Sequence, residues 1–330
     1  MARISTSLSP IKSNFLGKDI VSLSQFDNDS IIKLFETTDM LKEAGRRGFP
    51  LNLLSGKLIT LLFYEPSSRT RSSFDAAAKQ LDAKTIVVEN PQAFSSVSKG
   101  ESFEDTIRVF EAYCDIIVLR HPTKGQAEIA AAAAKRVPII NAGDGIGEHP
   151  TQALLDLYTI WDRNGRLSSL RGVIAGDLLN GRTVHSLIQG LSYFKNNELY
   201  LLSPDKLKLS KKDFSRFSKT GIKLKEISSF DEIPKDCDFW YWTRVQKERF
   251  DSEEEYKSVN NKFIVSKRIF NKYASAKTIL MHPLPRIGEI LEEVDDDPRA
   301  VYLTTQTRNG MYVRMAILAL VLGKIEETIR

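Results

Sequence analysis

The sequence predicts an α/β protein with two doubly wound parallel-sheet domains joined by two crossing helices. Short apolar runs alternate with helical patterns along the chain, which is typical of parallel α/β architecture. A glycine-rich turn over 141–150 follows an apolar run and precedes a helical pattern. A last helical pattern near the C-terminus can return the chain to the first domain. The 330 residues suffice for two domains of about 150 residues each.

The first half of the chain contains four predicted strands. The run over 58–64 is continuously apolar, as in strands that helices cover on both faces of a parallel sheet. After it, Phe74, Ala77 and Leu81 recur on one face of a helix. The other predicted strands cover 85–88, 115–119 and 137–141, and the predicted helices cover 70–82, 101–113 and 126–136.

The second half repeats this alternation. Its predicted strands cover 173–176, 199–202, 222–226, 239–243 and 278–281, and its predicted helices cover 152–163, 182–194 and about 309–323. The first and last of these helices are expected to cross between the domains. One expected domain comprises residues 1–149 plus about 309–330, and the other comprises residues 150–308. Ligands usually bind in a cleft between two such domains.

Composition predicts a soluble globular protein without a cofactor or a metal. Hydrophobic residues make up 42% of the chain and charged residues 27%, and no window approaches the roughly 18 apolar residues of a membrane span. The N-terminus lacks the apolar core of a secretory signal, so a cytoplasmic location is expected. Cys114 and Cys237 are expected to be buried free thiols. The four histidines have no metal-ligand spacing.

The net charge of +5 raises the question of a nucleic-acid partner. The densest basic stretch, 206–225, contains interspersed acids and few aromatic residues, which is typical of a solvated surface. The glycines at 143, 145 and 147 lack the spacing of a dinucleotide-binding loop, and the sequence has no P-loop motif. We therefore expect neither nucleic acid nor a nucleotide cofactor, but small substrates with several negative charges.

The most informative segment is Ser67-Ser68-Arg69-Thr70, which lies between the predicted strand at 58–64 and the helix at 70–82. Unpaired N–H groups and the helix dipole favour an anion at a helix N-terminus. Three hydroxyls and the arginine fork add donors for phosphoryl oxygens. An ordinary helix cap with exposed arginines would explain one hydroxyl but not three. The segment therefore predicts a phosphoryl-binding site.

The stretch from Pro66 to Phe74 also resembles the carbamoyl-phosphate loop of the transcarbamoylase family, usually Ser-Thr-Arg-Thr-Arg, with Ser68 in place of threonine. The similarity continues in order from about residue 15 to the C-terminus. Lys99 and Ser95, or with equal chemistry Ser96, resemble a loop that enters the active site of a neighbouring subunit in that family.

Two further segments lie at a predicted strand end and a predicted helix start. Arg120 follows an apolar run, and the carboxyl ends of strands in open α/β sheets face the ligand crevice. This residue resembles the family's second phosphate-binding arginine. His149 and Gln152 are three residues apart, which places both side chains on one helix face. They resemble the family's His-Pro-x-Gln motif, in which the histidine polarises the carbamoyl carbonyl.

The second half contains candidates for binding a carboxylate substrate. Arg182 lies at a predicted helix start and can hold a carboxylate with two hydrogen bonds. Arg244 and Gln246 alternate, so they would point to one side if the preceding strand continued. Pro283 and Leu284 belong to a rigid turn with exposed carbonyls. In the family, the corresponding backbone groups hold the carbamoyl amide and the substrate amine.

The same segments distinguish the branches of the family. Ornithine transcarbamoylases carry a His-Cys-Leu-Pro turn and a Ser-Met-Gly motif, whereas this chain has Pro283 in place of the cysteine and no Ser-Met-Gly. The segment over 243–249 resembles the aspartate branch. Arg182 and Arg244 suit a dicarboxylate, and they would repel the cationic side chain of ornithine.

The resemblance implies transfer of a carbamoyl group from carbamoyl phosphate to L-aspartate in pyrimidine biosynthesis. It implies no cofactor, a homotrimer with shared active sites and no membrane partner, and it leaves open a regulatory chain. The implied catalytic residues are Arg69, Thr70, His149 and Lys99. The implied binding residues are Ser67, Ser68, Arg120, Gln152 and Ser95 for carbamoyl phosphate, and Arg182, Arg244, Gln246, Pro283 and Leu284 for aspartate.

Three alternatives remain open at this point. The nearest is a transcarbamoylase for another amine, such as an ornithine derivative, which the two arginines of the second half disfavour. A non-catalytic homologue that binds carbamoyl phosphate or nucleotides is disfavoured because every motif residue is present. A nucleic-acid-binding module rests on net charge alone.

Overall fold

The structure is a computed structural model that describes residues 9–91, 100–245, 252–254 and 263–325. Within these residues, nine strands form two sheets in which every strand pair is parallel. The predicted fold class is therefore confirmed. The chain divides into two compact units, a first unit of Met1–Leu155 with Asn309–Arg330 and a second unit of Asp156–Arg308.

The first unit contains a four-stranded sheet with helices between its strands. The strands are β1 (Leu58–Phe63), β2 (Lys84–Glu89), β3 (Ile116–His121) and β4 (Ile139–Asp144), and the helices are α1 (Asn28–Arg46), α2 (Ser68–Gln80), α3 (Phe103–Glu111) and α4 (Gln126–Ala133). The strand order is β2-β1-β3-β4. β1, β3 and β4 are almost entirely buried, as their apolar sequences predict, whereas the edge strand β2 is largely half-exposed.

Helix α1 was not predicted from the sequence. It starts with a capping box, in which the Ser30 N–H donates to Asp27 Oδ1 (2.9 Å) and the Asp27 N–H donates to Ser30 Oγ (2.8 Å). Ile31, Leu34 and Phe35 are fully buried on one side of the helix. The helix therefore forms because a local cap and an apolar face coincide.

Helix α5 (Pro150–Asn164) carries the chain from the first unit into the second. The second unit contains a five-stranded sheet of order β7-β6-β5-β8-β9. Its strands are β5 (Arg171–Ala175), β6 (Glu198–Leu202), β7 (Lys223–Ile227), β8 (Phe239–Trp242) and β9 (Ile279–Met281), and its helices are α6 (Arg182–Ser192), α7 (Lys211–Ser218) and α8 (Lys267–Tyr273). Helix α9 (Thr305–Val321) returns the chain to the first unit and starts earlier than predicted.

Both sheets have a topological switch point at which the chain reverses its direction of growth. The switch lies between β1 and β3 in the first sheet and between β5 and β8 in the second. In open parallel sheets, ligands bind outside the carboxyl ends of the strands at such a point. The segments after β1, β3, β5 and β8 are therefore the places where functional side chains are expected.

Two other sequence expectations can be compared with the described residues. Cys237 is buried, as expected, but Cys114 is only half-buried, with its Sγ 3.2 Å from the Phe110 carbonyl oxygen. The expectation of two buried thiols is thus wrong for Cys114, which lies after the end of α3 and not within a strand. No helix in the described part of the chain has the length and apolar character that a bilayer crossing requires.

Candidate functional site

The predicted phosphoryl-binding segment lies at the switch point of the first sheet. β1 ends at Phe63 and α2 begins at Ser68, so the predicted strand–turn–helix arrangement is confirmed. The N-cap residue is Ser67, whose side chain makes no capping hydrogen bond. The Ser67 hydroxyl therefore does not cap the helix, whereas an ordinary helix cap would require it to do so. Ser68 and Arg69 are exposed and Thr70 is buried, so the helix start presents both a hydroxyl and a guanidinium to solvent.

Arg120 in β3 and His149, which lies between β4 and α5, both approach Gly143 in β4. Arg120 Nη1 donates to the Ala142 carbonyl oxygen (3.0 Å), and Arg120 Nη2 lies 2.6 Å from Glu65 Oε2. Gly143 has a φ of +121°, and a Cβ at this position would lie 2.5 Å from Arg120 Nη1 and 3.6 Å from His149 Cδ2. Only glycine fits between the two side chains, both of which are buried.

His149 immediately precedes α5, and Pro150 is the first helical residue. The Gln152 N–H donates to the His149 carbonyl oxygen (2.9 Å), and His149 Nδ1 lies 3.4 Å from Thr151 Oγ1. His149 thus lies just before the helix, and this backbone hydrogen bond joins it to Gln152 in the first turn.

Arg314 was not identified from the sequence, although it contacts α2 and α5, the two helices whose starts carry candidate residues. Its Nη1 donates to Ser73 Oγ in α2 (2.8 Å), and its Nη2 lies 3.5 Å from Thr151 Oγ1 in α5. Its guanidinium also lies over the Phe74 ring. A buried arginine on α9 thus connects the two helices whose first turns carry the candidate residues.

Arg182 and Arg244 follow the two switch-point strands of the second sheet. Arg182 is the first residue of α6, as predicted, and Arg244 lies two residues after β8. The Thr243 N–H donates to the Ala175 carbonyl oxygen (2.8 Å), so the segments after β5 and β8 run side by side. Gly176 has a φ of +112°, and a Cβ there would overlap the Thr243 carbonyl.

Three predicted site residues and one alternative to them lie in parts of the chain that the structure does not describe. β8 ends at Trp242, so the condition for the expected alternation of Arg244 and Gln246 is not met. Gln246, Ser95, Lys99 and the alternative Ser96 lie outside the described residues.

The turn with Pro283 and Leu284 follows β9 and is held by a buried histidine. The Leu284 N–H donates to His282 Nδ1 (2.7 Å), and His282 Nε2 lies 2.7 Å from Glu289 Oε1. Leu284 has a φ of +57°, which is uncommon for a leucine. Among the described residues, no hydrogen bond is made to the Pro283 or Leu284 carbonyl oxygens. The turn therefore offers two backbone acceptors.

Glu289 is ionised within this buried pair. Its Oε2 accepts a hydrogen bond from the Ile287 N–H (2.8 Å). Burial opposes ionisation, but the hydrogen bonds from His282 and Ile287 outweigh it and hold the pKa of Glu289 below its ordinary value. His282 and Glu289 are each only 2% exposed.

A chain of buried hydrogen bonds lies behind this turn. Gln306 Oε1 accepts from the His282 N–H (3.0 Å), and Gln306 Nε2 donates to Asp156 Oδ1 (2.7 Å). Tyr241 OH donates to Asp156 Oδ2 (2.8 Å), and burial raises the pKa of Tyr241 well above its ordinary value. These residues were missed by the sequence analysis because they are scattered over four separate segments.

Both units thus place groups with the chemistry to bind small anions or amines near the carboxyl ends of neighbouring parallel strands. This arrangement defines a class of two-unit α/β proteins with ligand-binding segments at both switch points. The chain belongs to the aspartate/ornithine carbamoyltransferase family. The model of its carbamoyl-P binding domain matches residues 18–162, and the model of its Asp/Orn binding domain matches residues 169–321.

Curated relatives include proteins of very different length. The multifunctional protein pyr1-3 of Dictyostelium discoideum is 46% identical over 307 residues, which cover 93% of this chain and 14% of that protein. The chloroplastic aspartate carbamoyltransferase of Arabidopsis thaliana is 43% identical over 305 residues, which cover 92% of this chain and 77% of that protein. The chain therefore spans most of one relative but only a small part of the other.

Solved structures of aspartate transcarbamoylases are also similar to this chain. The catalytic subunit of the Methanocaldococcus jannaschii aspartate transcarbamoylase superimposes with a TM-score of 0.88 at 43% identity, covering 93% of this chain and 99% of that one. The Trypanosoma cruzi aspartate transcarbamoylase, solved with carbamoyl phosphate and aspartate, has a TM-score of 0.84 at 38% identity, covering 96% and 100% of the two chains.

Proposed function

We propose that this chain transfers the carbamoyl group of carbamoyl phosphate to the amine of L-aspartate. The products are N-carbamoyl-L-aspartate and phosphate, and the reaction belongs to pyrimidine biosynthesis. The observation that carries the proposal is that each unit has its own strand-end cluster and that the two clusters differ in chemistry. One cluster has hydroxyl and guanidinium donors at a helix start, and the other has two arginines in the segments after β5 and β8 and a turn with open carbonyls after β9. A related enzyme has been solved with both proposed substrates.

In this proposal the first unit binds carbamoyl phosphate. The helix start supplies N–H groups and charge for the phosphoryl oxygens, and Arg120 at the end of β3 adds a second guanidinium. Arg69, Thr70 and His149 donate to the carbamoyl carbonyl oxygen, where negative charge grows during attack. The residues assigned to carbamoyl phosphate are Ser67, Ser68, Arg69, Thr70, Arg120, His149 and Gln152, together with Ser95 and Lys99 of a neighbouring subunit.

The second unit binds aspartate in this proposal. Arg182 and Arg244 follow adjacent strands and can each hold one carboxylate, and Gln246 is assigned to the same substrate. The carbonyls of Pro283 and Leu284 accept hydrogen bonds from the amine and from the carbamoyl amide. Fixing the amine in this way converts a bimolecular encounter into a positioned reaction.

The chemical step is a substitution at the carbamoyl carbon. The aspartate nitrogen forms a bond to this carbon, and the bond from the carbon to the phosphate oxygen breaks. The amine loses one proton, and we assign the leaving phosphate as its acceptor because a phosphate dianion already lies beside the reacting atoms. A pH–rate profile whose acid limb disappears when one specific side chain is replaced would contradict this assignment, because that side chain would then be the base.

Product formation with aspartate and with ornithine tests the reaction directly. Carbamoylated product is measured from carbamoyl phosphate with each amine in parallel. Product with aspartate alone is expected. Product with ornithine alone would keep the family but overturn the roles of Arg182 and Arg244. Absence of product with either amine would favour a non-catalytic homologue.

The assembly and location belong to the same proposal. We assign a cytoplasmic homotrimer in which Lys99 serves the active site of a neighbouring chain. Lys99→Ala and Arg69→Ala variants are each expected to be inactive. Mixing them after subunit exchange should restore activity, because some sites then receive an intact Arg69 from one chain and an intact Lys99 from the other. No restoration would indicate self-contained sites.

A further inference from the structure

We propose that His282 and Glu289 form a positioning pair that fixes the Pro283 and Leu284 carbonyls for the substrate amine. The pair can do this in only one form, with His282 neutral and its proton on Nε2. The inference rests on the proposed role of this turn in binding aspartate, and it adds two residues for which no role was predicted.

Hydrogen-bond directions determine the form of His282. The Leu284 N–H is a donor only, so His282 Nδ1, 2.7 Å away, must accept and carries no proton. Glu289 Oε2 already accepts from the Ile287 N–H (2.8 Å), and Glu289 Oε1 lies 2.7 Å from His282 Nε2. A carboxylate accepts only, so the ring proton is on Nε2. The opposite tautomer would place two donors against each other at Leu284.

The turn depends on this hydrogen bond because its backbone is strained. Leu284 adopts a φ of +57°, which a leucine side chain disfavours. The hydrogen bond to His282 compensates for the strain and fixes the peptide plane before Leu284, which contains the Pro283 carbonyl. Without it the backbone can relax and both carbonyls reorient. A displacement of about 1 Å at a reacting centre can lower the rate about 100-fold.

His282 acts on the reaction through the turn and not by proton transfer. It is 2% exposed, and both of its ring nitrogens are within hydrogen-bond distance of protein groups. Its backbone N–H is also held, by Gln306 Oε1 (3.0 Å). A histidine in this position has no nitrogen left to accept a proton from the substrate amine. We therefore class it as a positioning residue.

Two substitutions of His282 each remove one of the two imidazole hydrogen bonds and keep the other. His282→Asn keeps an acceptor near the position of Nδ1 but removes the donor to Glu289. His282→Gln keeps a donor near the position of Nε2 but removes the acceptor for Leu284. Both are neutral polar side chains, so they are matched in charge and differ mainly in which bond they preserve.

The expected readout is the ranking of the two variants in kcat/KM for aspartate. His282→Gln should lose roughly 5- to 100-fold, as for loss of one buried hydrogen bond, and His282→Asn should lose clearly less. Inhibition by inorganic phosphate, which binds to the first unit in the proposal, should change little in either. The reverse ranking would overturn the inference. Equal losses that parallel a loss of thermal stability would also overturn it, because they would indicate a packing role alone.

A measurement on the unaltered protein separates this inference from the proposed reaction. The chain has four histidines, so their ring nitrogens can be observed by ¹⁵N NMR and His282 assigned with the His282→Asn variant. We expect Nδ1 of His282 to be unprotonated and Nε2 to carry the ring proton. A protonated Nδ1 would overturn the inference even if the enzyme is active. An inactive protein with the expected signals would instead contradict the proposed function.

Discussion

The two units differ in how they prepare the groups assigned to their ligands. In the first unit, Ser67–Thr70 are four consecutive residues at the junction of β1 and α2. In the second unit, the acceptors are two backbone carbonyls of a strained turn that His282 and Glu289 support from behind. One region uses side chains on the end of a regular helix, whereas the other uses backbone held by buried polar groups.

This difference indicates where each region is sensitive to substitution. A helix start forms from local hydrogen bonds, so removing one of its side chains should leave the backbone unchanged and remove one contact to the ligand. The turn depends on residues that do not touch the ligand, so its failure should combine lost binding with lost stability.

The largest effect is expected from removing the exposed guanidinium of the first unit. Arg69→Ala should lower the rate by on the order of 10²–10³-fold or more, because a donor to a developing oxyanion contributes about that much. The fold should be intact by circular dichroism. The control is Arg108→Ala, an exposed arginine of α3 that pairs with Asp105 (3.2 Å), which should be near normal. A near-normal rate for Arg69→Ala would refute the phosphate-loop assignment.

A smaller effect is expected from an arginine of the second unit. Arg244→Ala should lower kcat/KM for aspartate by roughly 10- to 100-fold, because a charge-assisted contact to a carboxylate is lost. Affinity for inorganic phosphate should be little changed. Arg268→Ala, at an exposed position in α8 of the same unit, serves as the matched control. If Arg244→Ala weakens phosphate and aspartate equally, the division of substrates between the units is wrong.

A third comparison tests the close approach of Arg120 and His149 to Gly143. Gly143→Ala should reduce activity by at least about tenfold. The new Cβ would displace the Arg120 guanidinium, and small displacements of a group that positions the substrate lower the rate strongly. Gly125→Ala is the control, since Gly125 also has a positive φ (+87°) but nothing within 4 Å of its Cβ position. Both should lose stability by about 1–2 kcal/mol from strain. Equal activity in the two variants would contradict the required close approach.

The smallest effect concerns stability and not rate. The pKa of Glu289 is lowered in the folded state, so its ionisation stabilises the fold above about pH 4.3, the ordinary pKa of glutamate, and this contribution is lost as the pH falls through the lowered value. Glu289→Gln should be less stable than the unaltered protein by about 1–3 kcal/mol at pH 7, and the difference should shrink on acidification.

Tryptophan fluorescence provides a specific readout for that experiment. The three tryptophans, Trp161, Trp240 and Trp242, all belong to the second unit. Urea unfolding followed by this signal therefore reports the unit that contains Glu289. A difference between the variants that stays constant from pH 7 to below pH 4 would contradict the ionisation of Glu289 in the folded protein.

The sequence predicted the features that depend on local patterns. All nine strands and the strand–turn–helix arrangement at Ser67–Thr70 occur in the structure, because apolar runs and cap residues act over a few positions. Among helices α1–α9 of the described residues, three were not predicted, and two of these, α7 and α8, have only eight and seven residues. Helices of that length form mainly through tertiary packing and leave little signal in the sequence. Helix α1 did carry a local signal, the capping box at Asp27, which was not recognised.

The residues of the candidate site also divide into those that a short stretch of sequence predicts and those that only the fold brings together. Arg120 and Arg182 were predicted because a charge at the end of an apolar run, or at a helix start, is visible in a short window. The role of Glu289 was not predictable from its surroundings in the sequence. Its importance depends on the tautomer of His282, which is set by the fold of the whole turn.

The buried chain behind the second unit's turn limits how this part of the enzyme can be re-engineered. Residues 282–289 look like a portable loop, but their anchor runs through Gln306 in α9 and Asp156 in α5 to Tyr241 in β8. Transplanting the loop alone into a related scaffold would leave the anchor behind. A redesign for a different acceptor amine would have to transfer these three residues together with the loop.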